Sequence, residues 1–309
     1  MKKIAQWIQY LFAFFGLMVV GMIALAVAGL WSVTKSPLEK LREPSILHLE
    51  LKGVITGEEE FLDHLREYRD DDNIKGILVS IDSPGGVVGP SQEIYTELKR
   101  VREQLKKPVV VTCNALAASG AYYAAVAADK IIVNPGTLMG SIGVIMQFAN
   151  MERLYDWAKM DFFTITTGKF KDSGSPYRPM RDDEKALFQD MINEVQAQFK
   201  TAVKEGRKLR PDVLEQYTDG RIFHGQFAVE NGFADELGTF DDAKRIIGEM
   251  AGLGPDPEIY QPQDTPETLM EWLNQNARAT TAGEKLMQQL LPTQLAGKPL
   301  YLMPGVLGQ

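Results

Sequence analysis

The segment Lys75-Gly76-Ile77-Leu78-Val79-Ser80-Ile81-Asp82-Ser83-Pro84-Gly85-Gly86-Val87 (75–87) decides the fold class. Its first part, KGILVSID, is a short apolar run rich in branched residues and closed by a Pro/Gly cluster. Such a run reads as a strand covered on both faces, the kind a parallel sheet contains. Outward from it the signature recurs at Pro108–Asn114 (PVVVTCN) and, shorter, at Lys130–Asn134. Helical periods separate these runs. Gly89–Gln104 sets Ile94, Leu98 and Val101 on one face, and Ser119–Ala128 (SGAYYAAVAA) is a helix of small residues. Upstream, Ile46–Leu51 (ILHLEL) alternates as a strand and Glu58–Tyr68 reads as a helix. Strands alternating with helices predict an α/β fold, a mostly parallel sheet covered by helices. Further on, Asp161–Thr167 (DFFTITT) reads as another strand and Gly168–Pro179 as a loop. A long helix follows over Asp182–Leu209, with Phe188, Met191, Ile192, Val195, Phe199 and Val203 at helical spacing, read as core or subunit-contact positions. Phe227–Gly232 and Asp241–Met250 read as shorter helices.

Composition narrows the function. The chain has 309 residues, 45% apolar and 24% charged, which excludes wholesale disorder. Lys plus Arg number 33 against 41 Asp plus Glu, a net charge of −8, so no nucleic-acid partner is expected. Cys113 is the only cysteine, and His48, His64 and His224 are scattered without an HExxH or CxxC motif. Neither a metal site nor a cofactor is expected.

The N-terminal run Leu11–Trp31 (LFAFFGLMVVGMIALAVAGLW) would span roughly 31 Å as a helix, about one bilayer core. A cleaved signal peptide is the rival, because Ala26-Val27-Ala28 resembles a cleavage site, but apolar sequence continues to Val33. The chain is therefore read as a transmembrane helix (8–33), a linker (34–45), an α/β domain (46–253) and a peripheral C-terminal tail (254–309). The tail's apolar end, Leu300–Leu307, is expected to dock in a groove or on a neighbouring subunit. Lys2 and Lys3 on one flank and Lys35, Lys40 and Arg42 on the other do not decide orientation.

Three glycine-rich turns follow predicted strands. The first, Asp82–Val87, has paired glycines whose N–H groups are unobstructed, and reads as an oxyanion cradle or as an ordinary tight turn. In the second, Ser119 opens the small-residue helix, either as an N-cap or as a nucleophile with Gly120 allowing close approach. Residues 117–121 read AASGA, so this is no GxSxG elbow. The third, Pro135–Val144, places Ser141 among glycines, as a turn serine or a hydrogen-bonding site residue. A nucleophilic serine needs a base. The histidines are poorly placed by sequence, and His224, just before a helix, reads as a cap. Lysine is the alternative, and alternation cannot choose between Lys169 and Lys171. Ser32-Val33-Thr34-Lys35 matches SxxK but lies at the membrane boundary.

Together SPGG (83–86), ALAASGAYYAA (115–125), GSIGV (140–144) and GKFKDSGSP (168–176), with Gly220-Arg221-Ile222-Phe223 and Gly232-Phe233-Ala234-Asp235, resemble the signal peptide peptidase A family in its short form. These are membrane-anchored Ser/Lys proteases. The resemblance covers about residues 45–250 and the anchor. It implies a ClpP/crotonase-like fold of repeated β-β-α units. It implies Ser119 as nucleophile, Lys171 as general base, Ser141 orienting the lysine amine, and Gly86 as oxyanion donor, with Gly120 a plausible second. His224 departs from the family, which usually has Thr or Ser there. The resemblance further implies a ring-shaped homo-oligomer, an octamer, a catalytic body on the outer side of the cytoplasmic membrane, and cleavage of leftover signal peptides in their apolar core. An extended peptide would add as a strand beside Gly85, Val87 and Val88. A lysine ordinarily titrates near about 10.4, so a lysine base must be buried to stay uncharged. The alternatives are a crotonase-like acyl-CoA enzyme and a non-catalytic membrane scaffold.

Overall fold

The computed structural model describes residues 43–262 except 58, residues 299–303, and Gly16, Met18 and Gly21 singly. Apart from those three residues, the membrane span read at 8–33 lies outside the described residues, as does most of the linker. Among the described residues no helix is long and apolar enough to cross a membrane.

In chain order the elements are β1 (Ser45–Ile55), α1 (Glu59–Tyr68), β2 (Ile74–Val87), α2 (Val88–Arg100), β3 (Val109–Ala118), α3 (Gly120–Ala125), β4 (Lys130–Val133) and β5 (Leu138–Gly140). Then come α4 (Glu152–Trp157), α5 (Asp182–Arg207), α6 (Pro211–Tyr217), β6 (Ile222–His224), α7 (Gly225–Glu230), β7 (Glu236–Leu237), α8 (Phe240–Met250), β8 (Ile259–Tyr260) and β9 (Leu300–Leu302). Parallel pairing joins β8, β1, β2 and β3, and joins β4 and β5 to different parts of β3. Among the described strands, β6 on β5 and β9 on β2 run antiparallel, and Leu300 also bridges antiparallel to Ile145. The mostly parallel α/β expectation holds.

The apolar runs are continuous because both sheet faces are covered. Leu47, Ile77, Val79, Val109 and Val111 face a large core shared with Ile94, Leu98 and Tyr122 of the helices α2 and α3. Their neighbours Ile46, Leu78, Val110 and Ile132 face the other way, onto Ala243, Ile246 and Ile247 of α8.

The central strands are longer than their apolar runs, and each breaks at the same level. The register slips between Lys52 and Val54 in β1 and between Ile81 and Ser83 in β2. In β3, residues 110–113 pair with β4, whereas 116–118 pair with β5. Irregularities of this kind bend a strand and tolerate a proline that lacks a ladder donor, here Pro84. SPGG is therefore neither a tight turn nor a loop. It is the bent continuation of β2, and it carries the chain ends toward one face where the glycine-rich segments meet.

Two expectations, the strand at Asp161–Thr167 and the wholly peripheral tail, need correction. Asp161–Thr167 forms no strand; it pairs with nothing among the described residues, and Phe163 and Ile165 are 87% and 92% exposed. A strand is completed by a neighbour's backbone, and here the protomer offers none. Along α5 only Phe199 and Val203 of the six apolar positions are fully buried, and Met191 is exposed. The helix packs by its C-terminal half. The tail, expected to be peripheral, contributes β8 and the buried strand β9.

Helix α5 reaches the serine helix through one small residue. A Cβ on Gly206 would lie 2.2 Å from the Val126 carbonyl oxygen, backbone that ends α3. Overpacking at such a contact typically costs about 1–3 kcal/mol. Gly206→Ala should lower unfolding stability by about that amount in urea titration, with the denaturant slope unchanged.

Candidate active site

Ser119 sits on the turn from β3 into α3, at φ 53° and ψ −118°. Positive φ is uncommon for a residue with a side chain and marks a backbone held by its surroundings. Here the Ser119 N–H donates to the Gly140 carbonyl at 2.8 Å, and the Ser119 carbonyl accepts from the Tyr123 N–H at 2.8 Å. Helix α3 is in turn fixed by the buried Tyr122 hydroxyl, which donates to the Phe233 carbonyl at 2.9 Å.

The N-cap reading of Ser119 fails on this geometry. Its side chain makes no capping bond. The Oγ atom is buried and has no hydrogen-bond partner among the described residues. Leaving a buried hydroxyl unpaired costs about 1–3 kcal/mol, so its persistence asks for a functional reason.

Around this hydroxyl the glycine backbones converge. A Cβ on Gly85 would stand 2.6 Å from the Gly120 nitrogen, and one on Gly120 would stand 3.2 Å from the Gly86 nitrogen. A Cβ on Gly86 would collide with the Ile55 carbonyl of β1 at 1.9 Å. Only glycine permits this packing, and it leaves backbone N–H groups beside the serine turn. Ser141 follows β5 directly, also at positive φ (52°), buried, with its N–H donating to the Arg221 carbonyl at 2.7 Å. The Ser119–Gly140 bond thus brings the Ser141 turn alongside the Ser119 turn. Val88 begins α2 and is buried, while Val87 is partly exposed at the end of β2.

Lys171 is not part of this group in the protomer. It lies in the 168–180 loop, is exposed, and its ammonium makes no hydrogen bond or ion pair among the described residues. Lys169 is engaged elsewhere, 2.7 Å from the Asp183 carboxylate. The loop itself is clasped. Arg178 binds the Asp172 carboxylate at 3.0 Å and the Asp172 carbonyl at 2.7 Å, and grips Glu184 of α5 at 2.6 Å and 2.9 Å. Phe162 stacks on Tyr177 at 4.4 Å, and Phe148 packs on Phe188 at 4.6 Å. The backbone on either side of Lys171 is therefore tied down while its side chain points into the open.

His224 caps α7, its Nδ1 accepting the Phe227 N–H at 3.2 Å. His48 Nε2 lies 2.8 Å from the Ser80 hydroxyl, and burial holds its pKa below the ordinary histidine value. Among the described residues no three His, Cys, Asp or Glu side chains converge to hold a metal. Sequence reasoning missed the Arg178 clasp and a ring cluster in which the buried Tyr301 of β9 stacks on Tyr123 at 5.1 Å and packs against Phe199 at 4.7 Å. The signal for the second was present in the Leu-Tyr-Leu alternation between Pro299 and Pro304.

A kinked parallel sheet whose strand ends hold a buried serine beside glycine backbone amides defines the class, a Clp-type peptidase fold. Residues 54–138 match Clp protease, and residues 101–253 match peptidase family S49. A chain of Synechocystis sp. named as a protease is 39% identical over 69% of this chain and 74% of its own length. One of Enterococcus faecium named as signal peptide peptidase SppA is 30% identical over 89% of this chain and 86% of its own length. Protease 4 of Salmonella typhi is 30% identical over 75% of this chain, which covers 37% of that longer protein. The chain belongs to peptidase family S49, in its signal peptide peptidase A type.

The clasp gives a pH prediction. Hydrogen bonds from the Arg178 guanidinium hold the Glu184 carboxyl at about 2, below its ordinary 4.5. A depressed carboxylate pKa stabilises the folded loop above the ordinary value, and that contribution is lost as pH falls toward the folded one. Hydrogen-exchange protection in residues 168–180, measured against the intrinsic rate at each pH, should stay high above pH about 5 and fall progressively between about 4.5 and 2. Glu184→Gln should remove that pH dependence and give fast exchange throughout.

Proposed function

We propose that the protein is a membrane-anchored serine endopeptidase that degrades residual signal peptides and other apolar peptides. Its anchor is the Leu11–Trp31 segment, and its catalytic body lies on the outer side of the cytoplasmic membrane. The observation that carries the reading is the buried, unpartnered Ser119 hydroxyl on a positive-φ turn beside the Gly86 and Gly120 amides. Ser119 attacks the peptide carbonyl, and Lys171 takes its proton. The two amides stabilise the tetrahedral oxyanion, and each such donor is worth about 10²–10³ in rate. Lys171 then protonates the leaving amine, and water resolves the acyl-enzyme with the same lysine as base. Ser141 orients the amine.

In the protomer Lys171 stands in solvent, away from the buried serine, so the dyad is completed between copies of the chain. The segment leading into the lysine loop supports this. Trp157, Phe163 and Ile165 are 80%, 87% and 92% exposed, an apolar surface that isolated soluble chains rarely display. A ring of copies covers it by heterologous contacts, each copy offering its lysine to the next. Enclosure in such an interface disfavours an ammonium ion, the condition a lysine base requires.

Ser119→Ala and Lys171→Ala should each reduce cleavage of an apolar peptide by at least about 10³-fold while the oligomer persists in light scattering. When the two variants are co-assembled one to one, activity should return to about a quarter of wild type, the share of head-to-tail interfaces that pair an intact serine with an intact lysine. Failure of the mixture to recover would place both groups of the dyad in one chain. Full activity of Lys171→Ala would remove the lysine from the mechanism.

A further inference from the structure

The loop that carries Lys171 is fastened on both sides of that residue to one carboxylate. Glu184, in the first turn of α5, is fully buried. Its Oε2 accepts from the Arg178 Nη1 at 2.9 Å and from the Arg181 backbone N–H at 3.0 Å. Its Oε1 accepts from the Arg178 Nη2 at 2.6 Å and lies 2.8 Å from the Arg181 Nη1. From this shared anchor each arginine reaches into the loop. Arg178 grips the carboxylate and the carbonyl of Asp172, the residue directly after Lys171. The Arg181 Nη2 donates to the carbonyl of Lys169, two residues before Lys171, at 3.0 Å.

Between these grips the chain turns tightly. The Lys171 N–H donates to the Gly168 carbonyl at 3.4 Å and the Ser173 N–H to the Phe170 carbonyl at 3.2 Å. Gly174 lies against the Phe148 ring, which a Cβ would approach to 2.5 Å, and Phe148 in turn packs on Phe188 of α5. The charged groups around the loop are matched to one another and leave the lysine out. Asp172 and Glu184 are held by Arg178, and Asp183 by Lys169 and Arg181. The Lys171 side chain is exposed, with its root fixed and its amine committed to no anion among the described residues.

A surface loop that had only to be stable would gain little from a buried carboxylate, because an ion pair of this kind competes poorly with apolar side chains of the same volume. A forked guanidinium on a carboxylate supplies fixed geometry instead. We propose that Arg178 is a positioning residue of the peptidase reaction: through Glu184 and Asp172 it fixes the backbone from which Lys171 is presented to the serine of a neighbouring copy. This rests on the Ser119 and Lys171 reading above and adds how the base is held. With the root fixed, only the flexible stem of the lysine has to be ordered when copies meet. With the root loose, the amine is misplaced at the moment of proton transfer, and an error of about 1 Å can cost about 10² in rate.

The test uses full-length chains. Arg178→Ala should lower kcat for an apolar peptide by about 10- to 10²-fold and leave KM within about twofold. Co-assembly separates positioning from damage to the fold. Mixed one to one with Ser119→Ala, the Arg178→Ala chain supplies the serine and its neighbour supplies a well-held lysine, so activity should return to about a quarter of wild type. Mixed one to one with Lys171→Ala, every intact lysine sits on a loop without Arg178, and activity should not exceed that of Arg178→Ala alone. A variant that merely damaged the fold would behave alike in both mixtures. Circular dichroism and light scattering check folding and assembly. If Arg178→Ala does not fold, Asp172→Ala replaces it, since it leaves both arginines on Glu184 and removes only the grip beside the lysine; it should show the same asymmetry, with kcat lowered at least about threefold. A wild-type chain that cleaves nothing, or a mixture of Ser119→Ala with Lys171→Ala that stays inactive, would refute the reading on which the proposal rests. With those controls active, equal behaviour in the two mixtures or an unchanged kcat would overturn the positioning role alone.

Discussion

Everything near Ser119 depends on backbone approaching backbone more closely than any Cβ allows. Gly86 lies against the Ile55 carbonyl, Gly85 against the Gly120 main chain, and Gly120 against that of Gly86. This crowding is possible because the three central strands lose register together, so that their ends leave the plane of the sheet as a group. A regular sheet would carry Ser83–Val87 straight on and leave the serine turn without facing donors. The bend costs ladder bonds, and the two-sided core of Leu47, Ile77, Val79 and their opposite-facing neighbours supplies the rigidity that tolerates it.

The strained turns fit the same logic. Ser119 and Ser141 both sit at positive φ, a conformation that costs of order 1–3 kcal/mol at a non-glycine position. Each is locked by a short backbone bond, to Gly140 and from Ser141 to Arg221, and the helix after Ser119 is anchored by the Tyr122 hydroxyl. Stability gathered in the core is spent on holding a hydroxyl where it has no partner of its own.

Much of this was legible in the sequence, and the rest was hidden for identifiable reasons. KGILVSID and PVVVTCN announced buried parallel strands because both faces of those strands meet helices. The serine before GAYYAA and the paired glycines were found because their chemistry is local. The length of β2 was not, since Pro84 and two glycines are turn residues everywhere except at a register slip. DFFTITT has a strand's composition but no pairing partner in the protomer, which local pattern cannot reveal. Residue pattern left Lys169 and Lys171 undecided and only the family resemblance pointed to Lys171, whereas where that side chain stands relative to Ser119 is a property of the assembled fold. The Arg178 clasp joins residues that are ordinary surface charges when read one at a time.

The proposed division of labour has a physical consequence for a peptidase. A serine beside free backbone donors would act on any extended chain that reached it, including the protein's own neighbours. In the protomer two conditions are unmet: the lysine is in solvent, and the donors face Tyr301. An occupied ladder leaves no edge for a second strand. On the proposed reading activity needs both neighbouring copies and a peptide able to displace Leu300–Leu302. An extended segment meets that requirement; a folded surface does not.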